Sequence, residues 1–384
     1  MSAHSPSIMI VTGEASGDHH GALVLQALKA RFPDVRCCGI GGDELQRSGM
    51  HLLQHNRKLA VVGVVEVLSH ASHILRAFRV LRKAIRTSPP DLIIFIDYPD
   101  FNLRMAAYAS RRGVPVLYYI SPQIWAWRQG RAKKIARIVD TMAVIFPFEV
   151  PFYAKVGLKA HFVGHPLMDR APDLLARTAA LERFALTDTW PIVGLLPGSR
   201  AGEIRRLLGP MITAAVRIHA RYPDAQFIIP AAPGVSHKRI MAAAAALQAP
   251  LRVIPGDFYN AVNCCDIALV TSGTATLQTA LLEKPMIIVY RISPLTYFLG
   301  RMLIRVPCIG LANIVAGEKI VPELIQHEAT GERIADEALA LLSDDTRRSK
   351  MQRQLGEVKQ ALGGPGASER IADLAAEMLN RRRA

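Results

Sequence analysis

Short apolar runs alternate with helix-forming stretches along most of this chain, joined by turns of small residues, and that pattern leaves few folds open. Each crossover must return the chain to the same end of the sheet, which builds a parallel sheet covered by helices. The clearest unit is residues 267–283, IALVTSGTATLQTALLE. Residues 267–270 read as a buried strand and residues 275–282 as a helix, with Thr271, Ser272, Gly273 and Thr274 as the turn between them. Two readings of that turn compete. Ser and Thr favour helix starts for local hydrogen bonding, which makes it an ordinary N-cap. Alternatively, the free N–H groups and positive dipole end of the helix receive an anion, and Gly273 lets it approach closely.

The same unit recurs upstream. Residues 8–12 form a strand that enters Gly13-Glu14-Ala15-Ser16-Gly17-Asp18 and then a helical pattern. Residues 35–40 read as the next strand, but Gly39, Gly41 and Gly42 lack the GxGxxG spacing of a dinucleotide fingerprint. Residues 91–96 form a strand ending at Asp97-Tyr98-Pro99-Asp100. Ligands of open α/β sheets bind beyond the C-terminal strand ends. Asp97 is thus either a solvated loop residue or a general base aimed into a cleft. Further strands are expected at 114–120, 142–146, 192–196, 227–230, 251–254 and 285–290. Residues 167–190 are helical in pattern, and residues 192–196 with Pro197-Gly198-Ser199-Arg200 start the strand–turn–helix pattern again. The expected fold is therefore α/β, with two doubly wound units. We place the first domain at residues 1–170 and the second at 171–365, with a helix at 366–384 that packs back toward the first.

With 384 residues, half of them hydrophobic, the chain can bury large cores, and its composition is that of a folded chain rather than a disordered one. Lys and Arg number 47 against 32 Asp and Glu, a formal charge of +15 that calls for an anionic partner. The apolar run at 59–68, which includes Val61, Val62, Val64 and Val65, is too short to span a bilayer. Behind it, residues 69–86 have helical periodicity: Ile74, Phe78, Leu81 and Ile85 share one face, and Arg76, Arg79, Arg82, Lys83 and Arg86 crowd the others. This is either a solvated basic face or a surface that rests on anionic lipid. Trp125 and Trp127 precede a stretch containing Arg128, Arg131, Lys133, Lys134 and Arg137, read as a basic helix, yet no nucleic-acid recognition module accompanies them. His165 before Pro166 reads as a loop or core residue. The five cysteines fit neither a disulfide framework nor a zinc-ligand spacing, and the first residues lack the pattern of a signal peptide.

The motifs GEASGD, IDYPDFN, SPQIWAWR, FPFE, VGHPL, LLPGSR, SGTATLQ and the pair LANIVAG/VPELIQ lie in this order between Gly13 and Gln326. Together they resemble the lipid-A-disaccharide synthase family. Tyr98, Gln123 and Ala312 depart from residues frequent there, and bear on acyl-chain fit more than on the reaction.

The resemblance implies the GT-B architecture, two Rossmann-like domains facing across a cleft. It also implies an inverting transfer of 2,3-diacylglucosamine from UDP to 2,3-diacylglucosamine 1-phosphate, giving a β-1′,6-linked disaccharide 1-phosphate and UDP. The enzyme is expected to be peripheral on the cytoplasmic face of the inner membrane, to need no cofactor or metal, to bind no nucleic acid, and to be a monomer or homodimer. Gly198, Ser199, Arg200, Ser272, Gly273 and Thr274 are expected to meet the UDP diphosphate, Arg200 adding fixed charge to the leaving group. Asn313, Glu323 and Gln326 are expected to meet uridine or ribose. Glu14, Ser16 and Asp18, with Asp97 and Asp100, are expected to line the acceptor side, Ser16 being counted among the UDP-sugar contacts as well. Asp97 is the first choice as base, then Asp100 and Glu14. The alternative is another GT-B enzyme using UDP-N-acetylglucosamine, as a transferase or a 2-epimerase. A more distant one is a non-catalytic binder of nucleic acid or membrane.

Overall fold

The structure is a computed structural model that describes residues 5–59, 71–170, 173–232, 235, 237–245, 247–293, 297–298 and 307–383. Two compact units are present: Met1–Arg170 with Leu362–Ala384, and Ala171–Ala361.

The sheet of the first unit is wholly parallel, in the order β3-β2-β1-β4-β5-β6-β7. Its strands are β1 Ser7–Thr12, β2 Arg36–Gly41, β3 His51–His55, β4 Leu92–Ile96, β5 Val116–Tyr119, β6 Thr141–Val144 and β7 Ala160–Phe162. The helices that matter here are α1 Ala15–Arg31, α2 Asp43–Arg47, α3 Ala71–Thr87 and α4 Pro99–Ser110. β4, LIIFI, is buried throughout because it is covered on both faces. Strand residues alternate between two cores. Met9, Val11, Ile93 and Phe95 meet Leu81 and Ile85 of α3. Ile8, Ile10, Leu92 and Ile94 meet Val24, Leu25 and Leu28 of α1. Each such side chain contributes about 1.5–3 kcal/mol when fully buried.

Among its described residues the second unit has six parallel strands, in the order β10-β9-β8-β11-β12-β13. They are β8 Ile192–Leu196, β9 Gln226–Ala231, β10 Leu251–Pro255, β11 Ile267–Thr271, β12 Met286–Tyr290 and β13 Glu323–Ile325. α5 Ala201–Arg221 follows β8, α6 Thr274–Leu281 follows β11, and α7 Leu311–Ala316 and α8 Gly331–Ser343 come later. The last helix, α9 Ala367–Arg383, belongs to the first unit. Its Ile371, Ala372 and Ala375 enter the α1 core, and its Glu369 and Asp373 pair with Arg31 at 2.6 and 2.7 Å.

Both sheets reverse strand order about their first strand, at β1/β4 and at β8/β11. Such switch points are where open α/β sheets form their ligand crevices.

Two readings of the sequence need correction. Residues 167–190 are not one helical region: among the described residues there, Pro166–Arg170 and Arg177–Arg183 are helical, and Ala185, at φ 51°, lies in left-handed backbone just past the second helix. The basic stretch after Trp127 breaks at Arg128 (φ −134°, ψ 45°) into a 3-10 turn and the short helix Ala132–Ile135. β3 and β7 went unread because these edge strands, HLLQH and AHF, are only partly buried and carry no continuous apolar run.

Candidate active site

In the first unit the site grows from the ends of β1 and β4. Asp97 and Tyr98 both have left-handed backbone, at φ 48° and 47°. Two non-glycine residues in this region in succession cost free energy and persist only where the surroundings over-determine them. Here they do. The Asp97 amide donates to the Tyr119 carbonyl at 2.9 Å. The Asp97 carbonyl accepts from Asn102 Nδ2 and from the Tyr118 hydroxyl, each at 2.7 Å. The Tyr98 hydroxyl donates to the Leu59 carbonyl at 2.7 Å. Its ring lies against Gly13, where an added Cβ would come within 2.2 Å of it. The backbone of Asp97 is thus held at both its amide and its carbonyl, while among the described residues no hydrogen bond from another side chain claims its carboxylate.

Burial, and then the charge of Glu14, raise the Asp97 carboxyl to about 6, against a partial offset from the Tyr98 amide. Desolvation and like charge both disfavour its ionised form. Glu14 is exposed at the start of α1, and its carbonyl accepts from Asn56 Nδ2 at 3.3 Å. Asp100 lies exposed in the first turn of α4, 3.9 Å from Arg131. Ser16 is exposed in the first turn of α1.

Asp18 corrects the expectation. It is buried, and its carboxylate accepts from the amides of Gly42, Glu44 and Leu45 at 2.5, 3.0 and 3.3 Å. It caps α2 and so shapes the β2–α2 turn. His165 is also buried: its Nδ1 accepts from the Leu167 amide at 3.1 Å, its ring lies 5.3 Å from that of Phe146, and burial lowers its pKa to about 4. It is a neutral packing residue. Asn56, Asn102 and Tyr118 were not singled out from the sequence; Asn102 at least lies within the IDYPDFN motif.

In the second unit a cleft of about 420 Å3 opens where β8 and β11 end. Gly198, Ser199, Arg200, Ser272, Gly273 and Thr274 all line it. The β8 turn is shaped by Glu203, whose carboxylate accepts from the amides of Ser199 and Arg200 at 3.2 Å and pairs with the Arg200 guanidinium at 3.1 Å. Gly198 is required there: its φ is +107°, and a Cβ would meet Glu203 Oε2 at 2.4 Å. The Arg200 side chain is 77% exposed, so its pairing is weak and easily exchanged for a ligand. At the β11 turn the N-cap of α6 is Gly273, which has no side chain to cap the helix. The Ser272 hydroxyl bonds the Ile309 carbonyl at 3.0 Å, and the Thr276 hydroxyl bonds that of Gly273 at 2.8 Å. The hydroxyls therefore serve carbonyls rather than the first-turn amides.

Asn313, Glu323 and Gln326 are not among the described residues that line this cleft. Asn313 is buried: its amide donates to the Val321 carbonyl and to Glu323, and its oxygen accepts from the amides of Ile320 and Val321. Glu323 also accepts from the amides of Ile309 and Gly310 at 3.0 and 2.9 Å. Gln326, at φ 54°, is held by both backbone groups of Ile292. In this structure the polar side chains of these three residues are bonded to the loops around them.

On α3, Leu81 and Ile85 are buried, Ile74 and Phe78 pack against the same core, and Arg76, Arg79 and Arg82 are exposed. The Arg82 guanidinium lies 5.1 Å from the Tyr108 ring. Val61, Val62, Val64 and Val65 lie outside the described residues. No described helix is long and apolar enough to cross a membrane.

Two Rossmann-like parallel sheets, with an arginine-bearing turn at one switch point and a carboxylate on strained backbone at the other, fit the GT-B class. Solved structures share the fold. The glycotransferase of kitacinnamycin superposes with a TM-score of 0.65 at 15% identity, over 98% of this chain and 100% of that one. A UDP-GlcNAc 2-epimerase from Neisseria meningitidis gives 0.57 at 12% identity, over 98% and 100%. The model of the lipid-A-disaccharide synthetase family matches residues 8–377. A lipid-A-disaccharide synthase from Geobacter metallireducens is 49% identical over 382 residues, 99% of each chain. The chain belongs to the lipid-A-disaccharide synthase family. It is a glycosyltransferase of lipid A disaccharide synthesis that uses a UDP-sugar.

Proposed function

We propose that the second unit binds UDP-2,3-diacylglucosamine and the first binds 2,3-diacylglucosamine 1-phosphate. The observation that carries this reading is the cleft in which the PGSR and SGT turns meet at the β8/β11 switch point. The diphosphate lies against the first-turn amides of α6 and takes Arg200 from its weak pair with Glu203. Charge develops on the departing UDP as the anomeric bond breaks, and a fixed dipole and guanidinium there stabilise the transition state. The 6-hydroxyl of the acceptor attacks from the opposite face, which inverts the anomeric centre. Asp97 takes its proton: the carboxyl is raised to about 6, so it is ionised at neutral pH yet basic enough to assist.

Glu14 tunes Asp97 by charge. Asn56 ties the turn carrying Glu14 to the end of β1, and Asn102 and Tyr118 hold the Asp97 turn. Both substrates are lipids, so we place the enzyme peripherally on the cytoplasmic face of the inner membrane, with the basic side of α3 toward anionic headgroups. Release of UDP, measured with each diacylated sugar alone and with both, tests the reading. Turnover should require both; turnover with UDP-N-acetylglucosamine alone would replace it with the epimerase reading.

A further inference from the structure

One strand further along the second sheet from the nucleotide cleft, a separate cavity of about 930 Å3 opens at the C-terminal ends of β12 and β13. Arg205 and Arg206 enter it from the first turns of α5, and Arg291 from the residue that follows β12. Ile292, Ser293, Tyr297, Phe298, Gln326 and His327 are the other described residues that line it. No described lining residue is acidic, and none of the three arginines has a carboxylate partner among the described residues. Arg200, the N-cap of α5, does have one. Arg206 gives one N–H to the Gly202 carbonyl at 3.0 Å, and Arg205 and Arg291 are exposed.

Three arginines that line one cavity, with no acidic residue among its described lining, repel one another, and an anion there relieves the cost. The guanidinium fork matches phosphate geometry. Phe298, 64% exposed beside the arginines, puts apolar surface at the mouth. A small hydrophilic anion would leave that ring in water, whereas an amphiphile covers it.

We propose that Arg205, Arg206 and Arg291 form a second anion site, apart from the nucleotide cleft, that takes a phosphate ester borne on a lipid, with Phe298 against the lipid's apolar part. Two lipids carry this chemistry: an anionic membrane phospholipid and a phosphorylated sugar lipid. The site does not depend on which carboxylate is the base or on the order of substrates.

The test is binding of the full chain, at low salt, to three kinds of vesicle. One is phosphatidylcholine alone, one contains phosphatidylglycerol, and one contains 2,3-diacylglucosamine 1-phosphate. R205Q/R291Q should weaken binding about fivefold per arginine removed, while the exposed pair K133Q/K134Q, which removes equal charge elsewhere, should not. F298S should weaken binding as well. A loss confined to phosphatidylglycerol vesicles assigns the site to headgroups; a loss confined to the sugar-lipid vesicles assigns it to that lipid. Equal loss in R205Q/R291Q and K133Q/K134Q would reduce the effect to net charge and overturn the site, as would unchanged binding by the former in every arm. Thermal unfolding of each variant, which should match the parent, separates loss of the site from loss of the fold.

Discussion

Replacing Asp97 with Asn tests the base most directly, because its environment makes a quantitative statement. Burial and the Glu14 charge hold the carboxyl at about 6 rather than 3.8. Each pH unit changes the ratio of ionised to protonated forms tenfold, so the base is about nine-tenths ionised at pH 7 and about one-tenth at pH 5. In the parent enzyme, kcat/KM should therefore fall on an acid limb centred near 6, well above that of an ordinary aspartate. Asp97→Asn should lower kcat by about 10²–10⁴, the usual share of general-base assistance, and leave UDP-sugar binding intact.

Stability should move the other way. The folded state binds this proton more tightly than the unfolded chain does. The stability it contributes is full below the unfolded value of 3.8 and is lost as pH rises through about 6. Asparagine is neutral throughout, so the variant's Tm should equal or exceed the parent's above that range, and the difference should vanish in acid. UDP release across pH, with thermal unfolding of both proteins under the same buffers, reads all of this. A limb near 4, or a variant with near-normal kcat, would refute the assignment and pass the role to Asp100 or Glu14. Glu14→Gln offers an internal control: removing the second cause of the shift moves the limb toward lower pH but not to 4, because burial remains.

Arg200→Ala should depress kcat strongly, since it removes fixed charge from the leaving diphosphate, while EDTA has no effect; loss with EDTA and rescue by a divalent ion would contradict the metal-free account. Replacing Arg76, Arg79 and Arg82 with Glu should weaken binding to anionic vesicles, each lost charge being worth about 1 kcal/mol near the surface at low salt. The fold should survive, apart from about 0.5–1 kcal/mol for the Arg82–Tyr108 stack; unchanged vesicle binding would make α3 an ordinary solvated helix. Asn313→Ala should lower stability by about 1–3 kcal/mol for each buried group left unpaired. It should act on the UDP-sugar mainly through the loops it clamps, so a variant of normal Tm with abolished nucleotide binding would restore a direct contact.

Periodicity alone was enough for the parallel α/β class. The runs IMIVT, LIIFI, IVGLL and IALVT admit little except strands covered on both faces, and the small residues after them mark ligand-side turns. Motif order was enough for the family. Neither could say where a polar side chain spends its hydrogen bonds. Asp18, Asp97, Asn313 and Glu323 look alike in sequence: polar residues in motifs at turns. Three-dimensional packing separates them. Backbone amides from α2 surround Asp18, and the 309–310 and 320–321 segments enclose Asn313 and Glu323, so those three support structure. Asp97 has its backbone tied and, among the described residues, no side chain bonded to its carboxylate, in a place that penalises ionisation. The arginine cavity likewise draws on residues 205–206, 291 and 327, whose adjacency exists only once β12 and β13 lie side by side. Local propensity is written in neighbouring residues, whereas desolvation and charge convergence depend on neighbours that only the folded chain supplies.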